Sequence, residues 1–389
     1  LLHACAERRL VEFLARERAV LERFLPGLEA ELRSVPLERL ESRSSPAIEV
    51  FRNANASGLL IPREHRGLGA SAVEAVQVQR AIGACAPSLA VATTMHHFSA
   101  ATLVELQRRE AGLEWMLLQA IAERQILLAS GFAEGVSGQG VLRPTMKGRR
   151  ISGKVEISGE KRPCSLSRSM DILTASVVVS SDDPGHEDEF GVALISAKLP
   201  GIKITPFWSA SVLAGAESDT VSLDDVSVEE DLVITMGSAE APVLDEIQTA
   251  GFLWFELLIT ASYVGIASAL VERVLYGHRG DEWPRIAGAV ELEAAMASLE
   301  GVAQQIHPGG PRSADLLPRA LHCRYAAQDA ISRSVAGAVE LLGGMAFIRD
   351  ADVGYLASAS QALAFHPPGR LKAAAALADA FTGGDLRIG

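Results

Sequence analysis

The chain has 389 residues, 48% of them apolar, which is enough to bury a large core divided into two or three packed units and excludes global disorder. Its 36 basic residues stand against 48 acidic ones, a net charge of −12, which argues against a nucleic-acid surface built on phosphate neutralisation. Cys5, Cys85, Cys164 and Cys323 lie far apart with no CxxC spacing, so neither a zinc site nor a disulfide framework is expected, and a reducing cytoplasm suits them.

From the start to about Glu123 the apolar residues recur at helical spacing, as at Leu10, Phe13 and Leu14 or at Val76, Val78 and Ile82. A glycine-rich break from Ser57 to Gly69 interrupts them. Between about Ile126 and Thr235 the pattern turns to short alternating or β-branched runs, such as Ile172 to Val179 and Phe190 to Ser196, divided by Gly, Pro, Asp and Ser. Helical periodicity returns from about Ala239, with apolar stretches from Leu253 to Val274 and Leu321 to Leu342 on either side of a Pro308–Pro311 loop. The alanine-rich run Leu371 to Ala380 reads as a terminal helix. The expectation is α+β, mostly α, in three domains: helical over 1–123, β over 124–236 and helical over 237–389. No charged-then-apolar leader is visible, and apolar runs such as Gly251 to Ala261 are short and broken by polar residues, so a soluble protein without a membrane partner is expected.

Local sequence then suggests a relationship. Gly58-Leu-Leu-Ile-Pro62 with Gly67-Leu-Gly69, the Ala86–Ala90 break, Ile157–Lys161, Val221–Val228 and Gly343-Gly344 occur in the order found in the acyl-CoA dehydrogenase family, which the chain resembles along nearly its whole length. The resemblance implies a helical domain, a central β-barrel or sandwich and a C-terminal four-helix bundle. It also implies FAD, a homodimer or homotetramer, and oxidation of the Cα–Cβ bond of an acyl thioester held on CoA or an acyl carrier protein. The electron acceptor stays open. That chemistry needs a carboxylate to remove the α-proton and donors to hold the thioester oxygen.

The chain departs from that pattern at the position of the base. Counting from Gly344, the family's glutamate falls on Pro367, which has neither a carboxylate nor an N–H. Some members carry the base on the first bundle helix, at a position mapping to Phe255 or Glu256. Three placements are open for Glu256: a catalytic carboxylate raised by burial, a partner of a buried arginine, or a residue facing a solvated groove. His366 is the second candidate acid–base group. Phe132, Ala133 and Glu134 occupy the family's flavin-ring segment, Pro163 stands where an aromatic packs on the ring, and Ser165 keeps a hydroxyl near it. Arg279 is the nearest candidate for the family's phosphate-binding arginine, reaching across a dimer, and Gly343-Gly344 lie at its glycine turn. Gly138 and Gln139, with His97 and Phe255, are expected on the substrate side. No metal site is expected, because His96 and His97 are adjacent and point about 100° apart on a helix. The altered flavin contacts leave two further readings: a flavin monooxygenase on the same fold, using reduced flavin and O2, or a non-redox protein that binds a thioester or a partner.

Overall fold

The computed structural model describes residues 12–109, 112, 114–135, 144–180, 187–239 and 246–386. The N-terminal part is helical: α1 (Ala15–Phe24), α2 (Leu28–Arg33), α3 (Leu37–Leu40), α4 (Ala47–Asn53), α5 (Ala72–Cys85), α6 (Pro87–Arg109) and α7 (Glu114–Arg124). Ser71 starts α5 with a reciprocal cap, its hydroxyl accepting from Glu74 N while the Glu74 carboxylate accepts from Ser71 N. The glycine-rich break preceding it folds back on itself, with Leu68 N donating to Gly58 O and Gly69 N to Ile61 O, both at 2.9 Å. A Cβ at Gly67 would lie 2.0 Å from Ile61 O, so only glycine lets the two strands of this loop touch.

Among the described residues eight strands follow: β1 (Leu128–Gly131), β2 (Lys147–Ile151), β3 (Lys154–Cys164), β4 (Ile172–Ser180), β5 (Glu189–Ser196), β6 (Ile202–Thr205), β7 (Asp219–Glu229) and β8 (Val233–Ser238). They form one mixed sheet in the order β6-β7-β3-β2-β4-β5-β8, and β1 also pairs with β4. β1 and β2 both run parallel to β4, at Leu128↔Ile172 and Lys147↔Val178, so they lie end to end along the same neighbour. β4 is buried over Leu173–Val179, a continuous run of apolar and small residues with no charge.

The C-terminal part comprises α8 (Glu246–Tyr276), α9 (Glu282–Ala303), α10 (Ser313–Leu342), α11 (Gly344–Arg349), α12 (Ala351–Ser360) and α13 (Arg370–Phe381). α8 corrects one expectation. It is long and apolar enough to cross a membrane, yet its most apolar window is wholly buried inside the protein. The polar residues that seemed to interrupt the run bond to their own helix: Thr260 to Glu256 O at 2.6 Å, Ser262 to Leu258 O at 2.8 Å and Ser268 to Val264 O at 2.7 Å. α8 is therefore the central helix, packed by α5, α6, α9 and α10.

Two glycines set the closest of these approaches. A Cβ at Gly83 of α5 would meet Ser262 O at 2.3 Å, and one at Gly265 of α8 would meet Arg80 O at 2.2 Å. Beside this crossing the fully buried Arg80 ties four helices, donating to Glu17 of α1 at 2.9 Å, to Glu293 of α9 at 2.6 Å and to Ser268 of α8. Gly83→Ala and Gly265→Ala should each lower stability by about 2 kcal/mol through overpacking, read as a lower urea midpoint. Gly301→Ala, in open space on α9, should raise it by up to about 1 kcal/mol; equal effects at all three positions would refute the close crossing.

Candidate active site

Where the sheet meets the bundle there is a cavity of about 470 Å³. Its sheet side is built by the residues that follow β1 and β3. Phe132 and Ala133 leave the end of β1, while Pro163 and Ser165 come from the end of β3, where the ladder to β7 is irregular between Lys161 and Cys164. Ser165 Oγ lies 2.9 Å from Ser218 Oγ, and Thr174 of β4 donates to Ala129 O at 3.0 Å. The helical side is aromatic. Phe98 of α6 meets Phe255 of α8 edge-on at 5.5 Å between centroids and Phe132 at 6.3 Å, while Phe252 and Phe255 are nearly parallel at 6.1 Å.

The third wall is the segment after α12, a 3-10 turn over Gln361–Phe365 followed by His366 and Pro367. His366 Nε2 is 2.9 Å from the Tyr263 hydroxyl, and its ring lies edge-on to Tyr263 and Phe255. Burial, reinforced by the nearby Arg324 charge, lowers its pKa to about 3, so the imidazole is neutral near pH 7. Burial raises the pKa of the Tyr263 hydroxyl, which stays protonated.

Several expected residues meet here: Phe132, Ala133, Pro163, Ser165, Phe255 and His366 all line the cavity. Others are corrected. Glu256 is one residue, and hence about 100° of helix, from Phe255. Its carboxylate turns away from the cavity and accepts from Arg324 of α10 at 2.8 and 2.9 Å, both partners being fully buried. Burial raises the carboxyl's pKa against the pull of the Arg324 guanidinium, but the carboxylate reaches that guanidinium and not the cavity.

Glu134 lines the cavity edge, but its carboxylate accepts from Lys161 Nζ at 2.6 Å, from Thr145 Oγ1 at 2.6 Å and from Thr145 N. Burial would raise its pKa; the Lys161 ammonium and the Thr145 donors outweigh that and hold it at about 2. Arg279 lies beyond the end of α8, and Gly343-Gly344 at the end of α10. Tyr263 and Arg324, the residues near the cavity, precede them by about 25 Å of helix at 1.5 Å per residue. Both sites lie at the far end of the bundle, where a Cβ at Gly280 would touch Leu341. Gly138 and Gln139 lie outside the described residues. Among the described residues no group of three His, Cys, Asp or Glu side chains could hold a metal.

His97 is not on the cavity. It is fully buried against Phe51 and His96, and neither ring nitrogen has a hydrogen-bond partner. His96 is neutral and satisfied: Leu128 N donates to Nδ1 at 3.1 Å, and Nε2 lies 2.8 Å from Ser57 O.

The walls suit the ring system of a flavin. Its faces need apolar contacts, supplied by Pro163 and the aromatic cluster, and its polar edge needs a few hydrogen-bonding groups, supplied by Ser165, Ser130 and the main chain at Ala133. Comparison with known proteins narrows the assignment. No family model matches the chain. The isobutylamine N-hydroxylase of Streptomyces viridifaciens is 45% identical over 374 residues, covering 95% of this chain and 98% of that protein. The chain belongs to the isobutylamine N-hydroxylase family. It is therefore an enzyme, and an oxidoreductase.

Solved structures agree on the fold. FMN-bound TdsC from Paenibacillus sp. A11-2 superposes with a TM-score of 0.82 at 18% identity, covering 96% of this chain and 99% of that one. KijD3 in complex with FMN and an amino-keto sugar nucleotide gives 0.81 at 16% identity, covering 96% and 95%. The resemblance to acyl-CoA dehydrogenases thus holds at the level of the fold, while membership lies with the N-hydroxylase.

The buried histidines predict how this family member responds to acid. Burial lowers His96 to about 4, and burial with the neighbouring His96 takes His97 well below its ordinary value. The unfolded imidazoles take up protons near 6.5. Folding is therefore fully favoured above that pH and loses up to about 1.4 kcal/mol per pH unit per imidazole as pH falls from about 6.5 towards the folded values. Urea midpoints measured from pH 7 to pH 4.5 should fall over this window, and the slope should be shallower in His97→Phe.

Proposed function

We propose that the chain is a flavin-dependent monooxygenase that places one oxygen atom of O2 on the nitrogen of a small, apolar primary amine, with FMN as its flavin. The amine, O2 and reduced flavin give the hydroxylamine, water and oxidised flavin. Reduced flavin, when bound, supplies the two electrons that divide O2 between product and water.

One geometric observation carries this reading. No carboxylate among the described residues faces the cavity unpaired: Pro367 stands at the dehydrogenase position, Glu256 is turned into Arg324, and Glu134 is tied to Lys161 and Thr145. Removing the α-proton of a thioester would have no carboxylate acceptor, and His366, whose pKa burial lowers to about 3, is a weak base, so oxidation of acyl-CoA or an acyl carrier protein loses its main support. An amine needs no such base, because its own lone pair is the nucleophile. An alkylammonium in water keeps its proton to about pH 10, as lysine does; entry into apolar walls favours the neutral form. His366, with its lowered pKa, cannot protonate that nitrogen and leaves the lone pair free.

The 45% identity to an isobutylamine N-hydroxylase supports the amine as substrate. FMN in the TdsC and KijD3 structures supports FMN over FAD. The test is to mix the protein with chemically reduced FMN, O2 and isobutylamine, and to detect the hydroxylamine by mass. His366→Ala, which removes the partner of the Tyr263 hydroxyl and part of the third wall, should lower kcat by about a hundredfold by loosening substrate placement. Bleaching of oxidised flavin by a saturated acyl-CoA, with no amine product, would overturn the proposal in favour of dehydrogenation.

We also propose that the chain works as a homo-oligomer. Arg279 and Gly343-Gly344, which the dehydrogenase resemblance links to flavin contacts and, for the arginine, to contacts across a dimer, lie at the end of the bundle away from the cavity of their own chain. Trp283, Ile286 and Val290 on α9 and Met345, Phe347 and Ile348 on α11 are exposed apolar side chains, a pattern suited to a second copy. Sedimentation should give a dimer or larger, and Trp283→Glu should shift it towards monomer.

A further inference from the structure

Past its 3-10 turn the wall that carries His366 has no regular hydrogen-bond ladder, and three of the wall's carbonyls converge on one buried side chain. Arg324 Nη1 donates to Pro367 O at 3.0 Å, and Nη2 donates to Leu363 O at 3.2 Å and to His366 O. The next residue of α10, Tyr325, donates its hydroxyl to Pro368 O at 2.9 Å. The same Nη1 also donates to both oxygens of Glu256, so one guanidinium holds three carbonyls and one carboxylate with no exposure to solvent. A planar fork of donors can do this, whereas the compact ammonium of a lysine cannot span the set. An arginine buried this deeply also requires a counter-charge at contact distance, and Glu256 supplies it.

We propose that Arg324 is a positioning residue that fixes His366 on the cavity wall, and that Glu256 serves it as a counter-charge and not as a proton acceptor. The inference rests on the monooxygenase reading for its kinetic consequence, but its structural content is independent of that reading. Accepting a proton at each turnover would leave Arg324 uncompensated in the core, a cost that separates the counter-charge role from a base. The titratable or charged groups packed around His366 and its loop are Tyr263 and Glu256 of α8 and Arg324 and Tyr325 of α10.

The experiment compares wild type, Glu256→Gln and the double variant Arg324→Met/Glu256→Leu. The double variant replaces the pair with apolar side chains and so avoids leaving a lone buried charge. Each protein is loaded with FMN, its kcat and KM for isobutylamine are measured, and the His366 imidazole is followed by 15N NMR in histidine-labelled protein.

In the double variant, kcat should fall about tenfold or more while KM stays within about twofold, the signature of a misplaced wall that no longer aligns the substrate while binding is intact. Its His366 signal should lose the pattern of one fixed, neutral imidazole and titrate near the free value of about 6.5. Glu256→Gln should lower the urea midpoint, because Arg324 loses its counter-charge, while the folded protein keeps kcat within about threefold, since Gln can still accept from Nη1.

A double variant with wild-type kcat and an unmoved His366 signal would overturn the proposal. So would a Glu256→Gln variant that loses more than about a hundredfold in kcat with the His366 signal unmoved. A wild-type protein that hydroxylates no amine would count against the functional reading, while a displaced His366 signal in the double variant would still support Arg324 as its anchor.

Discussion

A guanidinium sealed in the protein interior imposes two demands, charge balance and partners for its donors, and the architecture around Arg324 meets the first through Glu256 and the second at both Nη atoms. Glu256 on α8 provides the balance, and the carbonyls of Leu363, His366 and Pro367 take the other Nη donors, while Nε is buried without a partner. The pair joins α8 to α10 and fastens to both a segment that lacks regular secondary structure over His366–Pro368. Such a pair adds little net stability compared with apolar side chains of the same volume. Its contribution lies in specificity: it admits one path for the loop, and that path sets the third wall of the cavity.

The remaining walls follow from the central position of α8. A helix that is apolar all round has to be surrounded, and α5, α6, α9 and α10 surround it. Its Phe252, Phe255 and Tyr263 face the cavity, Glu256 faces Arg324, and Gly265 faces the backbone of α5. Opposite it, the ends of β1 and β3 are brought together by a sheet in which β1 and β2 share one neighbour, so Phe132, Ala133, Pro163 and Ser165 arrive at one place from segments distant in sequence.

The order of helices, strands and helices was readable from periodicity alone, because each segment keeps its period for many residues. The glycine break before α5 and the proline–glycine loop between α9 and α10 were readable too, since close backbone approach and turns need those residues. The site was harder. Phe132, Ala133, Pro163, Ser165, Phe255 and His366 emerged from local likeness to the dehydrogenases, whereas Phe98, Phe252, Tyr263 and Arg324 did not. In α6 and α8 nearly every face is buried, so no amphipathic stripe marks the side that lines the cavity. The same loss of phase explains Glu256: a one-residue slip along an apolar helix turns a side chain by about 100°. The sequence leaves a buried arginine open as the partner of Glu256, but nothing in its spacing singles out Arg324, 68 residues away. His97 was assigned to the substrate side by the same kind of slip, since its neighbour Phe98 is the residue that reaches the cavity.

The reciprocal contact of Gly83 and Gly265 limits how this enzyme can diversify. With the backbones of α5 and α8 already touching, α8 cannot retreat to enlarge the cavity or carry a larger side chain at the crossing without parting the two helices. Room for a different substrate must therefore come from side-chain exchange on Phe98, Phe252 or Phe255, or from the path of the segment tied to Arg324. Substitutions in the aromatic wall would alter the shape of the compartment gradually. A change at the arginine would relocate an entire boundary at once, so natural variants of this chain are expected to explore new substrates through the former and to reach new chemistry through the latter.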